Sequence, residues 1–158
     1  MAKFVPIDDI LEFAVAREAE SHQLYKVLAD RAQNPAMREL ILEFAAEELE
    51  HKAKLELELM KLGKVVREPE EPEEARDLAD FDLARYIVDT GLPLHMDYED
   101  LLLLGMKKEK AAFRLYIDLA AIVKDREARE TLLSLAEEEA RHKVQLEIDY
   151  DNLVRKGE

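Results

Sequence analysis

The chain has 158 residues, 48 % of them hydrophobic and 38 % charged, with a formal charge of −14 and no cysteine. That length fits one ordinary domain with its own core, and the acidity reads as a solvated surface that would repel a phosphate backbone, which argues against nucleic-acid binding. Without cysteine there is no disulfide, thiol nucleophile, iron–sulfur cluster or rubredoxin-type metal knot, so any electron must come from a separate donor.

Gly and Pro are scarce, while Ala, Leu, Glu, Lys and Arg dominate, which predicts long helices. The opening residues lack the apolar run and small-residue cleavage site of a secretory signal. No stretch approaches the ~20 apolar residues of a membrane span. The expectation is a soluble cytoplasmic protein without membrane contact.

The first helix is predicted over 8–33, where Leu11, Ala14, Glu18, Ser21, Tyr25, Leu28 and Ala32 recur at steps of three and four. Asn34-Pro35 reads as an N-cap followed by proline at the first helical position. It opens a second helix over 35–62, striped by Ile41, Phe44, Glu48, His51, Leu55 and Leu62 and closed by Gly63 in a left-handed cap. Residues 63–97 form a connection that begins with an acidic, proline-broken run at 67–74. A short helix through Leu78, Ala79, Leu83, Tyr86 and Ile87 and a turn at Thr90-Gly91-Leu92-Pro93 follow. Asp97 and Asp100 flank the start of a third helix over 98–124, striped by Leu102, Gly105, Glu109, Ala112, Tyr116, Leu119 and Val123. Asp125 caps a fourth over 126–154, striped by Leu132, Leu135, Glu139, His142 and Leu146.

An ungapped offset of 91 residues carries Glu18, Tyr25, Glu48 and His51 onto Glu109, Tyr116, Glu139 and His142. The chain is therefore two copies of one helical hairpin, spanning 8–62 and 98–154. A connection of this length can run along a whole bundle helix, at ~1.5 Å per helical residue, and so permits helices two and three to be parallel. The expected fold is all-α, an antiparallel four-helix bundle with a long crossover, in a single domain.

Four glutamates and two histidines lie inside the apolar stripes, whereas Glu43, Glu47, Glu50, Glu130, Glu137 and Glu138 fall on faces that can be left to water. Burying ionised carboxylates among leucines is strongly unfavourable unless cations compensate them, and two divalent metals would balance four such charges. Glu18 lies 16 residues before the Asn34 turn and Glu48 14 after it, which places them within ~3 Å in height in an antiparallel hairpin. Copy two repeats this about Asp125. Glu48-x-x-His51 and Glu139-x-x-His142 each put two donors on one helical face. Tyr25 and Tyr116, one heptad beyond Glu18 and Glu109, are placed to hydrogen-bond a ligand carboxylate. His22 has Phe113 as its repeat partner and reads as a packing or surface residue, and His95 as solvated or structural.

One Glu from each of two helices with Glu-x-x-His from each of the other two resembles the pattern of di-iron and di-manganese carboxylate bundles. With the Glu-x6-Tyr companion in both copies, the chain most resembles the rubrerythrin branch of the ferritin-like superfamily, over residues 8–62 and 98–154. The resemblance implies that Glu48 and Glu139 bridge two irons, with manganese or a mixed pair as alternatives. It makes Glu18 and His51 terminal ligands of one metal, and Glu109 and His142 of the other. It further implies reduction of peroxide or dioxygen, with Glu48, Glu139, Tyr25 and Tyr116 at the catalytic centre and an external donor such as a rubredoxin-like protein. A homodimer is the default assembly. A ferroxidase subunit of an iron-storing shell and a bundle with structural metals stand as alternatives. Peroxide-reducing rubrerythrins carry an additional glutamate three residues before the helix-three ligand, and Met106 departs from that pattern.

Overall fold

The computed structural model describes residues 4–65, 78–88 and 96–157. Among these, four long helices carry almost all the regular structure: α1 (Ile7–Arg31), α2 (Pro35–Val65), α3 (Tyr98–Ile122) and α4 (Arg126–Gly157). Polar side chains start three of them. The Asn34 side chain accepts from the Ala36 and Met37 amides at 2.9 and 3.3 Å, Asp97 from the Asp100 amide at 2.8 Å, and Asp125 from the Ala128 amide at 3.0 Å.

The hairpin turns are clamped identically. Arg38 donates to the Ala29 carbonyl at 3.2 Å, and its repeat counterpart Arg129 to the Ala120 carbonyl at 3.3 Å. Each arginine supplies a donor to a last-turn carbonyl of the preceding helix.

The core forms two apolar clusters, one toward each end of the bundle. One gathers Ile10 and Leu11 of α1, Leu55 of α2, Leu115 and Leu119 of α3, and Leu132 and Leu135 of α4. The other gathers Leu24 and Leu28, Ile41 and Phe44, Leu101 and Leu102, and Leu146. The start of α1 thus lies beside the ends of α2 and α3 and the start of α4. Helices α2 and α3 are parallel, as the long connection allows, and the bundle is ferritin-like.

Two expectations are corrected. Gly63 makes no left-handed cap: no described glycine has positive φ, and α2 runs on to Val65. A glycine in the final turn costs only about 1 kcal/mol against alanine, too little to end a 31-residue helix. The short helix around Leu78 to Ile87 is instead a strand, β2 (Leu78–Asp80), followed by a 3-10 turn at Leu83–Tyr86. β2 pairs antiparallel with β1 (Phe4–Pro6), Val5 opposite Ala79. Backbone pairing to the N-terminal segment outweighs the weak helical period. Asp82, accepting from the Ala84 amide at 3.2 Å, starts the tighter turn. Tyr86 then anchors the connection to α3 through Asp118 at 2.6 Å. The acidic run at 67–74, the turn at Thr90 to Pro93 and His95 lie outside the described residues.

Candidate metal centre

Between the two apolar clusters lie Glu18 of α1, Glu109 of α3, Glu48 and His51 of α2, and Glu139 and His142 of α4, each at most 1 % exposed. Ligand atoms of Glu18, Glu48, His51 and Glu139 fall within 4.8 Å of one another, and so do those of Glu48, Glu109, Glu139 and His142. The two groups share Glu48 and Glu139. All six residues singled out by spacing are therefore brought together. Both imidazoles face the centre with Nδ1: that of His51 is 2.6 Å from Glu139 Oε1 and 3.6 Å from Glu18 Oε2, and that of His142 is 3.1 Å from Glu48 Oε1 and 3.6 Å from Glu109 Oε1.

Further residues hold these side chains in place. Each tyrosine hydroxyl crosses to the opposite hairpin, Tyr25 donating to Glu109 Oε1 and Tyr116 to Glu18 Oε1. The outer nitrogens of the histidines are also held across the bundle, His142 Nε2 by Glu47 and His51 Nε2 by Glu138 at 3.2 Å. A carboxylate on Nε2 fixes the tautomer that leaves the Nδ1 lone pair free for a cation. Arg141 lies 3.4 Å from Glu47 and 3.9 Å from Glu138, one guanidinium beside both outer carboxylates.

The electrostatics follow from burial and crowding. Burial, reinforced by the charges of Glu109 and Glu18, pushes the Glu48 and Glu139 carboxyls well above their usual range. For Glu18 burial acts in the same direction but is outweighed by His51, Glu48 and the Tyr116 hydroxyl, which hold it below that range. For His142 burial would lower the pKa, but Glu109 and Glu47 prevail and raise it. Burial and the charges of Glu109 and Glu18 respectively keep Tyr25 and Tyr116 protonated far beyond neutral pH, so both remain donors.

The donor set fits a pair of divalent cations. Glu18 Oε2, both oxygens of Glu48, Glu109 Oε2 and His142 Nδ1 are buried and have no hydrogen-bond partner. Orphaned buried polar atoms are costly and rare, and five spread over these two overlapping groups, in a mixture of carboxylate and imidazole, are what hard or borderline metals satisfy.

Glu47 and Glu138 were expected on the solvated face and belong instead to this constellation. The signal that finds them is the repeat itself, since both precede a Glu-x-x-His at the same offset of 91. His22 packs structurally, its Nδ1 2.8 Å from the Ala45 carbonyl oxygen. Met106 is half-buried against the cluster around Leu101 and takes no part in either ligand group. On the α1–α3 wall, a cavity of about 20 Å³ lies beside Glu18, lined also by Arg17, Ser21 and Lys108, enough for about one water.

Fold and site together define the class: a ferritin-like four-helix bundle whose carboxylates and imidazoles are compatible with a di-metal centre. The family model for rubrerythrin matches residues 9–147, and the chain belongs to the rubrerythrin family. Among solved structures it is similar to a hypothetical protein from Pyrococcus furiosus, with 28 % identity over 94 % of this chain and 90 % of that one and a TM-score of 0.71. It shares its fold with a protein from Thermotoga maritima described as a putative ferritin-like diiron-carboxylate protein, at 19 % identity over 96 % and 98 % of the two chains and a TM-score of 0.68. No curated protein matches the chain.

Proposed function

We propose that this chain is a cytoplasmic di-iron carboxylate oxidoreductase that reduces peroxide or dioxygen with electrons from a separate donor, such as a rubredoxin-like protein. The observation that carries the reading is the pair of four-residue groups overlapping in Glu48 and Glu139. Glu48 and Glu139, common to both groups, would be shared by the two metals; Glu18 and His51 would complete one site, and Glu109 and His142 the other. Two adjacent irons, when bound, supply redox chemistry and Lewis acidity toward an O–O bond.

The chain's own residues prepare that chemistry. Tyr25 and Tyr116 orient the terminal carboxylates by donating to Glu109 and Glu18, while Glu47 and Glu138 hold the imidazoles. The apolar clusters on either side exclude bulk water. The cavity beside Glu18, with room for about one water, lies in the wall away from the histidine-bearing helices. The absence of cysteine is the reason for assigning the electrons to a partner. The test is metal analysis of purified protein, followed by rapid mixing of its reduced form with peroxide and with dioxygen separately. Fast oxidation by at least one oxidant is expected, and inertness toward both would sink the proposal.

A further inference from the structure

Two cations meet on the α1–α3 wall of a chain whose formal charge is −14. Arg17 and Lys108 are equivalent at the repeat offset of 91, each directly precedes a glutamate of the metal centre, and both line the cavity beside Glu18. Ser21 and Ala112, equivalent in the same way, also line it, and their small side chains leave the space open. The Lys108 side chain is only 6 % exposed, and a buried ammonium needs a partner. Glu20 supplies it. One of its oxygens lies 3.2 Å from Lys108 Nζ and the other 3.1 Å from Arg17 Nη2, so the carboxylate clips the two cations together. The counterpart of Glu20 on α3 is Ala111, which leaves one carboxylate to serve both cations and an excess of positive charge at the outer mouth. Such a mouth disfavours metal ions and suits anions or neutral molecules.

Arg17 Nε is buried without a hydrogen-bond partner, among the described residues the only such side-chain atom outside the six ligands. It is a donor, and Glu18, which lines the same cavity, has the orphaned acceptor Oε2. A space of about 20 Å³ between these two residues suits one water, which both donates and accepts. The cavity's two closures differ. Tyr86 covers it from the connection and is tied through its hydroxyl to Asp118 at 2.6 Å. Glu20 is 39 % exposed, and ion pairs of an exposed carboxylate gain little, so its side chain can swing into solvent at small cost. An entrant that accepts a hydrogen bond then takes its place on Lys108, and opening leaves no bare buried ammonium.

We propose that this wall is the port of the metal centre: small hydrogen-bond acceptors enter between α1 and α3, Glu20 swings aside to admit them, and Arg17 and Lys108 receive them beside Glu18. Ser21 and Ala112 set the width of the passage. The proposal rests on the pair of metals proposed above and not on their redox chemistry.

Two measurements test it. A high-resolution crystal structure of the purified protein should show an ordered water within hydrogen-bond reach of Arg17 Nε and the Glu18 carboxylate. Full-length protein loaded with cobalt, where no oxidant is involved, is then mixed rapidly with azide, and binding is followed by visible absorption. Ser21→Val and Ala112→Val narrow the passage from opposite helices, and each should slow azide binding by about tenfold, while Glu20→Ala should speed it by about as much. A passage alters entry and exit together, so Kd for azide should stay at the wild-type value in all three variants, whereas a distorted metal site would change it. Helical circular dichroism and cobalt content report that each variant is folded and loaded. A dry cavity, a loaded wild type that azide does not reach, a folded variant whose rates are unchanged, or a shift in Kd in place of matched rate changes would overturn the proposal. Failure to bind metal would instead sink the di-metal reading, and inertness of the iron form toward both oxidants the redox reading; the ordered water depends on neither.

Discussion

The two halves of the metal centre carry the same side chains at the same repeat offset, yet they are braced differently. On the Glu109 side, His142 is stacked on Phe44 with ring centroids 4.1 Å apart and planes 24° from parallel. The repeat counterpart of Phe44 is Leu135, so His51 has no such stack. Arg141 stands beside both outer carboxylates, and its own counterpart is the acidic Glu50. Chemistry that must be done twice is kept identical, while the supports have diverged. The lesson is that ligand symmetry does not imply site equivalence: the half containing His142 is the more tightly held, and its metal should bind the tighter of the two.

The largest effect expected concerns the shared residues. Glu48→Ala or Glu139→Ala should remove both metals, whereas Glu18→Ala should mainly empty one site. Metal counts per chain read this directly, and equal loss in all three variants would contradict the bridging roles. Next come the outer carboxylates: Glu47→Gln and Glu138→Gln should each weaken metal binding by roughly 10–100-fold, the former at the His142 side and the latter at the His51 side. Competition with a chelator measures it, and no change in either variant would return Glu47 and Glu138 to the solvent face.

A third prediction concerns pH and the metal-free protein. The raised folded-state values of Glu48, Glu139 and His142 mean that the folded form binds more protons than the unfolded one. Their stabilisation is complete below the unfolded pKa values and is lost as pH rises through the folded ones. Glu18, held low, acts oppositely and loses its contribution on acidification, but it is one group against three. Metal-free protein should therefore melt at progressively lower temperature from mildly acidic to alkaline pH, and loading should flatten that slope while releasing protons. Parallel profiles for the two forms would show that the carboxylates do not share one buried site.

The smallest effects sharpen the asymmetry. Tyr25→Phe and Tyr116→Phe each leave a buried carboxylate oxygen without its donor, a cost of about 1–3 kcal/mol. Phe44→Leu removes the ring-stacking difference between the halves, leaving that at Arg141, and should cost about 1 kcal/mol beyond lost area. If it leaves the two metal affinities as different as before, the stack is not what separates them. Thermal melts and stepwise metal titration distinguish these outcomes.

Most of the bundle was legible because helical periodicity is local and the ligands interrupt it: a glutamate in a leucine stripe announces itself. The matching heights of Glu18 and Glu48 followed from counting residues to the turn. Glu47 was misjudged because one residue rotates a helix by about 100°, which takes it off the stripe of Glu48. What draws the half-buried Glu47 into the constellation is the neighbouring helix, whose His142 reaches it, and no pattern within α2 encodes that. The β1–β2 pairing was hidden for a similar reason. Its partners, Val5 and Ala79, lie more than seventy residues apart, and neither segment alternates long enough to declare a strand.

The tyrosines that cross between hairpins have a consequence for the order of assembly. The hairpin made first contributes Glu18, Glu48 and His51, but the acceptor facing His51 is Glu139, 88 residues later, and the donor to Glu18 is Tyr116. Neither hairpin can complete a cation's coordination sphere by itself. With metals bound as proposed, capture would await docking of the second hairpin, and from that moment the ions would act as a latch across the seam between the two halves. Separating the hairpins would mean breaking coordination at both metals and both tyrosine bonds at once, so the loaded protein should come apart as one unit where the metal-free bundle can open by halves.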